Sequence, residues 1–97
     1  MRRGTTPTHT FTLPFDISTV KALRITYEQG GYKFVKTDYK IDGNSIQTTL
    51  TQQESLGFEC NKQARIQFKV LTINNAVVIS DILSFMVGEC LDDEVIS

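Results

Sequence analysis

The apolar residues of this 97-residue chain recur mostly at every second position, which is the spacing of a β-strand with one buried face. The strongest example is Ala64, Ile66, Phe68 and Val70, which alternate with polar residues. The same alternation occurs in residues 11–15, 23–27 and 46–50. Since no segment keeps the 3.6-residue period of a long helix, we expect an all-β fold.

Turn signals divide the strand-like segments into short pieces. Gly30-Gly31 is typical of a two-residue hairpin, and Asp42-Gly43-Asn44 is a second turn signal. Asn74-Asn75 fits a type I′ turn because Asn tolerates positive φ. About seven short strands result, which predicts a single antiparallel β-sandwich. The chain has no Trp, so the sandwich would be immunoglobulin-like in architecture alone.

The alternation is interrupted twice. The pair Tyr32 and Phe34 has the opposite parity to the pair Tyr39 and Ile41, so we expect a bulge or a kink at residues 36–38. Asp81 falls on the apolar face of the last predicted strand, residues 77–87. Either the strand breaks there, which we favour, or the carboxylate has a partner.

One short helical turn is predicted at residues 52–57. Thr51 and Glu54 have the spacing of a capping box, in which each side chain bonds the other residue's backbone amide. The segment that follows is too short for a longer helix. Its apolar residues, Leu56 and Phe58, are predicted to close one end of the core.

We expect three parts along the chain: a flexible basic arm at residues 1–10, the sandwich domain at residues 11–90, and an acidic tail at residues 91–97. The arm carries Arg2 and Arg3, and the tail carries Asp92, Asp93 and Glu94. The two charged ends are either separately solvated or complementary between neighbouring copies.

The arm leads into a strand that suits the edge of a sheet. Phe11 and Leu13 alternate with threonine, and Pro14 cannot donate to a strand ladder. Open edges pair with other chains unless they are covered. The extended segment at residues 5–15 would therefore cover its own sheet edge or add to a neighbour's by strand addition. The candidate interaction residues are Arg2, Arg3, Phe11 and Leu13.

Composition excludes several classes of function. A net charge of −1 argues against general nucleic-acid binding, which needs a basic face. The sequence lacks an apolar run of about 20 residues that would span a membrane. No apolar segment of a secretory signal follows Arg2 and Arg3, so we expect synthesis in the cytoplasm.

The residues that carry catalytic or metal chemistry are few and scattered. His9 is the one imidazole, and nothing in the sequence brings it near Cys60 or Cys90 as an activating base. These three residues lack the paired spacing of a zinc site, and two isolated cysteines are more often small apolar residues than a disulfide. We therefore expect no enzyme activity, no metal and no cofactor.

Four segments carry a resemblance to a known group of proteins. The opening TPTHTFTLPFD, with LTQQESLGF, RIQFKVLT and ECLDDEV, resembles a family of small uncharacterised prophage-encoded proteins of Gram-positive gut bacteria. The likeness covers about residues 2–96. The strand order is also loosely similar to the N-terminal Ig-like module of phage baseplate upper proteins. The resemblance implies a virion-associated structural role, in the tail or baseplate, and brings no catalytic residues.

Three hypotheses follow. The first is a non-enzymatic structural or docking protein of a phage-like particle, whose partners are copies of itself or a larger tail protein. The second is a carbohydrate- or cell-surface-binding module with a platform of Tyr27, Tyr32 and Tyr39, although packing across a sheet is the commoner role of strand tyrosines. The third is a small phage protein that binds a host protein.

Overall fold

The chain folds into two antiparallel sheets in the computed structural model, which describes residues 1–13, 17–89 and 91. The elements are β1 (Thr8–Thr12), a 3₁₀ turn (Ile17–Thr19), β2 (Val20–Gln29), β3 (Tyr32–Lys36), β4 (Lys40–Asp42), β5 (Ser45–Thr49), α1 (Gln52–Leu56), β6 (Gln63–Thr72), β7 (Val77–Ile79) and β8 (Leu83–Met86). The smaller sheet has the order β1-β5-β4, and the larger has the order β3-β2-β6, with β7 and β8 both on the far side of β6. The predicted all-β sandwich is confirmed, with eight strands in the described residues.

The core lies between the two sheets, where the alternation of each strand places its apolar side chains. Long strands β2 and β6 are paired over most of their length and supply most of the buried residues of the larger sheet. The smaller sheet contributes Ile46, the residue after β5 contributes Leu50, and Phe11 packs against the cluster. The buried apolar residues of the core are Leu13, Leu23, Ile25, Tyr27, Ile46, Leu50, Phe58, Ala64, Ile66, Phe68, Val70 and Val87.

The predicted hairpin at Gly30-Gly31 and the predicted turn at Asp42-Gly43-Asn44 are confirmed. Gly30-Gly31 joins β2 to β3 and Gly43-Asn44 joins β4 to β5, each as a two-residue loop. The loop at Asn74-Asn75 differs from the predicted type I′ turn. Thr72 N donates to Ala76 O, so the loop consists of the three residues 73–75. Of these three, only Asn75 has a positive φ, as in three-residue hairpin loops whose last residue is left-handed.

Both interruptions of the alternation correspond to places where a strand ends. The parity changes after Lys36 because the chain leaves the larger sheet and crosses to the smaller one, where Thr48 Oγ1 donates to Asp38 O at 3.1 Å. The break favoured at Asp81 is confirmed. β7 ends at Ile79 and β8 begins at Leu83, with both strands along the same edge of β6.

The helical turn forms as predicted. Thr51 Oγ1 accepts a hydrogen bond from Glu54 N at 3.1 Å, and Glu54 Oε1 accepts one from Thr51 N at 2.8 Å. Phe58 is fully buried beyond the turn, whereas Leu56 is half-buried. The capping box thus fixes the segment that closes one end of the core.

The predicted boundary between arm and domain falls inside a strand. β1 begins at Thr8 and is paired with β5 along its whole length, so Thr8, His9 and Thr10 belong to the smaller sheet. Of the predicted acidic tail, Leu91 is described, and Asp92, Asp93 and Glu94 lie outside the described residues, as do Pro14, Phe15 and Cys90.

Candidate interaction surface

The first three residues form a short parallel contact with the end of the last strand. Arg2 bridges to Gly88, with Arg3 N donating to Gly88 O at 3.0 Å and Gly88 N donating to Met1 O at 2.5 Å. The terminal ammonium of Met1 donates to Met86 O at 2.9 Å. Of the two roles predicted for residues 5–15, β1 fits the first, because it pairs with β5 of its own chain.

The two arginines predicted as contact residues also bond within the chain. Arg2 Nη1 donates to Glu89 O at 2.8 Å. Arg3 Nε donates to Leu56 O and Phe58 O at 3.0 and 2.8 Å, which ties the N-terminus to the loop after α1. Arg2 remains exposed and Arg3 is half-buried.

The two apolar candidates, Phe11 and Leu13, lie in the core. Phe11 packs edge-on against Phe68 with ring centroids 4.7 Å apart, and Leu13 is buried. Residues Phe11 and Leu13 therefore join β1 to the larger sheet. The four predicted residues are not brought together in one surface: the arginines lie near the C-terminal end of β8 and the apolar pair lies inside the sandwich.

His9 lies between the sheets, against Tyr27 and Phe85. Its Nδ1 is 2.6 Å from the hydroxyl of Tyr27, and its ring lies 5.3 Å from that of Phe85. Burial, with a smaller effect of the N-terminal charge, lowers the pKa of His9. Burial, with the charge of Glu54, raises that of Tyr27. Among the described residues no group of three or more His, Cys, Asp or Glu is placed to hold a metal ion.

The edge formed by β7 and β8 differs from the rest of the fold. Lys69 pairs with Ile79, and Ile66 pairs with Leu83. Between these two pairs β6 has two residues and the edge segment has three, so the edge segment contains a bulge. Ser80 sits in this bulge, where its N donates to Phe68 O and its Oγ accepts from Phe68 N, both at 2.9 Å. No described strand lies on the other side of β7 or β8.

Large apolar side chains are exposed all along this edge. They are between 42% and 60% accessible and extend from the β6–β7 turn to the end of β8: Ile73, Val77, Val78, Ile79, Ile82, Leu83 and Met86. We call these seven residues the apolar edge. A monomer normally exposes large apolar residues singly, and a contiguous set marks a contact site.

A groove opens where the smaller sheet fails to cover this edge. It has a volume of about 470 Å³ and lies between Leu13 at the end of β1, Phe68 on β6, and Val78 and Leu83 on the edge strands. Val78 pairs with buried Val70, and Leu83 pairs with buried Ile66, so both face the interior of the sandwich. They remain accessible because no described strand of the smaller sheet lies over them.

The sequence predicted a strand here but not its exposure. Val77, Ile79, Leu83 and Phe85 share one parity in the sequence, which predicts that they share a face on either side of the break at Asp81. The bulge at Ser80 changes the parity between β7 and β8, so Ile79 and Leu83 lie on opposite faces. The signal that separates this segment from the others is the run Val77-Val78-Ile79, which is apolar on both faces.

No protein-family model, no curated protein and no solved structure matches this chain. Of the helices in the described part of the chain, none has the length and apolar character needed to cross a membrane.

Proposed function

We propose that the chain is a non-enzymatic contact protein that docks through the apolar edge, as a structural component of a phage-like particle in its tail or baseplate. The observation that carries the docking role is the exposed edge itself, with apolar residues on both faces and a groove beside it. The particle role rests on the family resemblance of TPTHTFTLPFD, LTQQESLGF, RIQFKVLT and ECLDDEV. The immunoglobulin-like comparison rests on the strand pattern and strand order.

Natural sheet edges are usually blocked, but among the described residues no strand pairs with the outer side of β7. The end of β8 is met by the N-terminus, where Met1 N donates to Met86 O. Proteins protect an open edge with charged side chains, especially Lys, with proline, or with a covering segment. Residues 72–80 contain neither a charged residue nor a proline. Since an unprotected apolar edge promotes association with other chains, docking accounts for a feature that would otherwise favour aggregation.

The carbohydrate-binding alternative loses the feature on which it depended. Tyr27 is fully buried, and Tyr32 and Tyr39 are half-buried and packed against the core. The hydroxyl of Tyr32 donates to Glu54 O at 2.9 Å, which holds that ring against α1. The three rings do not form an exposed platform, so we do not develop this function further.

The test compares a charged substitution on the proposed surface with the same substitution elsewhere. Val78→Lys adds a charge to β7. Val35→Lys adds one to β3, the strand at the other side of the same sheet, where Val35 is also accessible. Strains carrying the wild-type chain or either variant are induced, and particles are purified on a density gradient. Peptide mass spectrometry then measures the chain relative to the tail proteins.

We expect the wild-type chain and Val35→Lys to be present in a fixed ratio to the tail proteins, and Val78→Lys to be depleted at least tenfold at equal soluble amounts. Absence of the wild-type chain from clean particles would contradict the particle role. Retention of Val78→Lys at the Val35→Lys level would contradict docking through the apolar edge.

A further inference from the structure

We infer that the partner of the apolar edge is a second copy of this chain, joined by antiparallel pairing of β7 with the second copy's β7. This inference rests on the proposed docking role of the edge and names its occupant. The pairing places Val78 opposite the second copy's Val78, and Val77 opposite its Ile79. The two larger sheets then form one continuous sheet across a twofold axis.

The backbone of β7 is arranged for this pairing. Ser80 N donates to Phe68 O, and Thr72 N donates to Ala76 O, so Ala76, Val78 and Ser80 direct their backbone groups toward β6. By the alternation of a strand, those of Val77 and Ile79 point away from it. In the dimer, the N–H and C=O groups of Val77 and Ile79 make four hydrogen bonds with their counterparts.

The side chains of β7 are complementary to themselves. A partner strand must offer apolar side chains on both faces, because Val77 and Ile79 lie on the outer face and Val78 on the inner one. β7 meets this requirement. An amphipathic strand, which is apolar on one face, would place polar side chains beside either Val78 or the outer pair.

The charges near the edge also permit the symmetric arrangement. Centred on Val78, the pairing brings Asp81 opposite Asn75 of the second copy, so no like charges face each other. Lys69 is the neighbour of Ile79 on β6. In the dimer, Lys69 and the second copy's Lys69 are separated by three strand spacings, which is about 14 Å. This distance is more than the roughly 10 Å over which exposed charges interact at 0.1 M salt.

The area of the apolar edge suits an interface between two copies. Six of the seven residues lie within residues 73–83, the segment that this register pairs with itself. At about half exposure they present roughly 600 Å² on the two faces of the edge together, a large part of the about 800 Å² that each partner contributes to an interface of standard size. A twofold interface uses the same patch on both copies, so one such surface per chain is sufficient.

A cysteine at position 78 tests the register. Residues opposite each other in a pair without mutual hydrogen bonds have Cα atoms about 4.5 Å apart, which is within the range that a disulfide bridges. In a Cys60→Ser, Cys90→Ser background, mild oxidation should convert most of Val78→Cys to a covalent dimer. The matched control is Val35→Cys, which should cross-link at least tenfold more slowly. Equal rates for the two variants would overturn the inference.

Sedimentation velocity of the chain without the new cysteines provides the second test. We expect twice the mass of one chain at high concentration for the wild type and for Val35→Lys, and a single chain for Val78→Lys with unchanged circular dichroism. A wild-type chain that stays monomeric at all concentrations overturns self-pairing.

The particle assay and the dimerisation assays can give opposite results, and each combination of results has a distinct meaning. If the purified chain is monomeric and Val78→Lys is still lost from particles, the edge docks on a different protein and self-pairing is wrong. If the chain dimerises through position 78 but is absent from particles, self-pairing stands and the particle role is wrong.

Discussion

The ammonium of Lys36 lies 2.9 Å from the carboxylate of Glu54, so an ion pair joins β3 to the helical turn α1. Lys36 is buried, and Glu54 is partly exposed. Burial lowers the pKa of Lys36, but the hydrogen bond and charge of Glu54, with Asp38 at 3.5 Å, outweigh it and leave that pKa raised. The same carboxylate also caps Thr51.

Glu54→Gln is therefore expected to destabilise the chain by about 2 kcal/mol, because it leaves the buried ammonium of Lys36 to the more distant, exposed carboxylate of Asp38. Urea unfolding measures the change. The matched control is Glu59→Gln, which removes an exposed pair with Lys62 and should leave the midpoint unchanged. Equal effects of the two substitutions would show that the Lys36 pair contributes no more than a surface pair.

A second prediction concerns the hydrogen bond between His9 and Tyr27. Burial lowers the pKa of His9 below its ordinary value of 6.5, so the folded chain favours the neutral ring. Below pH 6.5 the unfolded chain binds more protons than the folded one, and stability falls as the pH drops toward the folded pKa. Urea midpoints at pH 7.5 and 5.5 should show this loss.

His9→Asn is the control for that pH dependence, since Asn keeps a polar group near the Tyr27 hydroxyl but does not titrate in this range. We expect its midpoint to change much less between the two pH values. A variant with the full wild-type pH dependence would exclude His9 as the responsible group.

The third prediction concerns the close approach of Tyr32 to Gly57. A Cβ at Gly57 would lie 2.2 Å from Cζ of the Tyr32 ring, although the φ of −68° suits any residue. Gly57→Ala should thus destabilise the chain by about 2 kcal/mol through displacement of the ring. Gly31→Ala, which meets nothing within 4 Å, is the control. In the double variant with Tyr32→Leu, the cost of Gly57→Ala should be much smaller, and simple additivity would contradict this account.

The pattern of alternation predicted the sandwich because its strongest signals lie in β2 and β6, which are paired over most of their length. The capping box at Thr51 and the hairpin at Gly30-Gly31 were predictable because each is specified by residues that are neighbours in the sequence. Local signals of this kind do not depend on which sheet a strand joins.

The apolar edge was not predictable in this way because exposure depends on what covers a strand. Val78 and Leu83 face the interior, and whether another strand lies over them is decided by the position of β1 in the other sheet. Similarly, the sequence could not show that Phe11 would pack on Phe68 while Arg2 reaches Glu89. Contacts between segments so far apart in the chain leave no periodic signal.

Removal of residues 1–3 is the fourth prediction. These residues pair with the segment after β8 without belonging to either sheet, so their deletion should leave the strands in place and destabilise the chain by about 2 kcal/mol. Hydrogen exchange at the Gly88 amide, which donates to Met1 O, should become faster. An unchanged exchange rate would mean that this contact does not persist in solution.

The most direct measurement of the central claim is hydrogen exchange at β7 as a function of chain concentration. If two copies pair through this strand, the amides of Val77 and Ile79 should exchange more slowly as the concentration rises. The amide of Val35, on the opposite edge strand, should not change. Exchange at Val77 and Ile79 that stays independent of concentration would contradict pairing through the apolar edge.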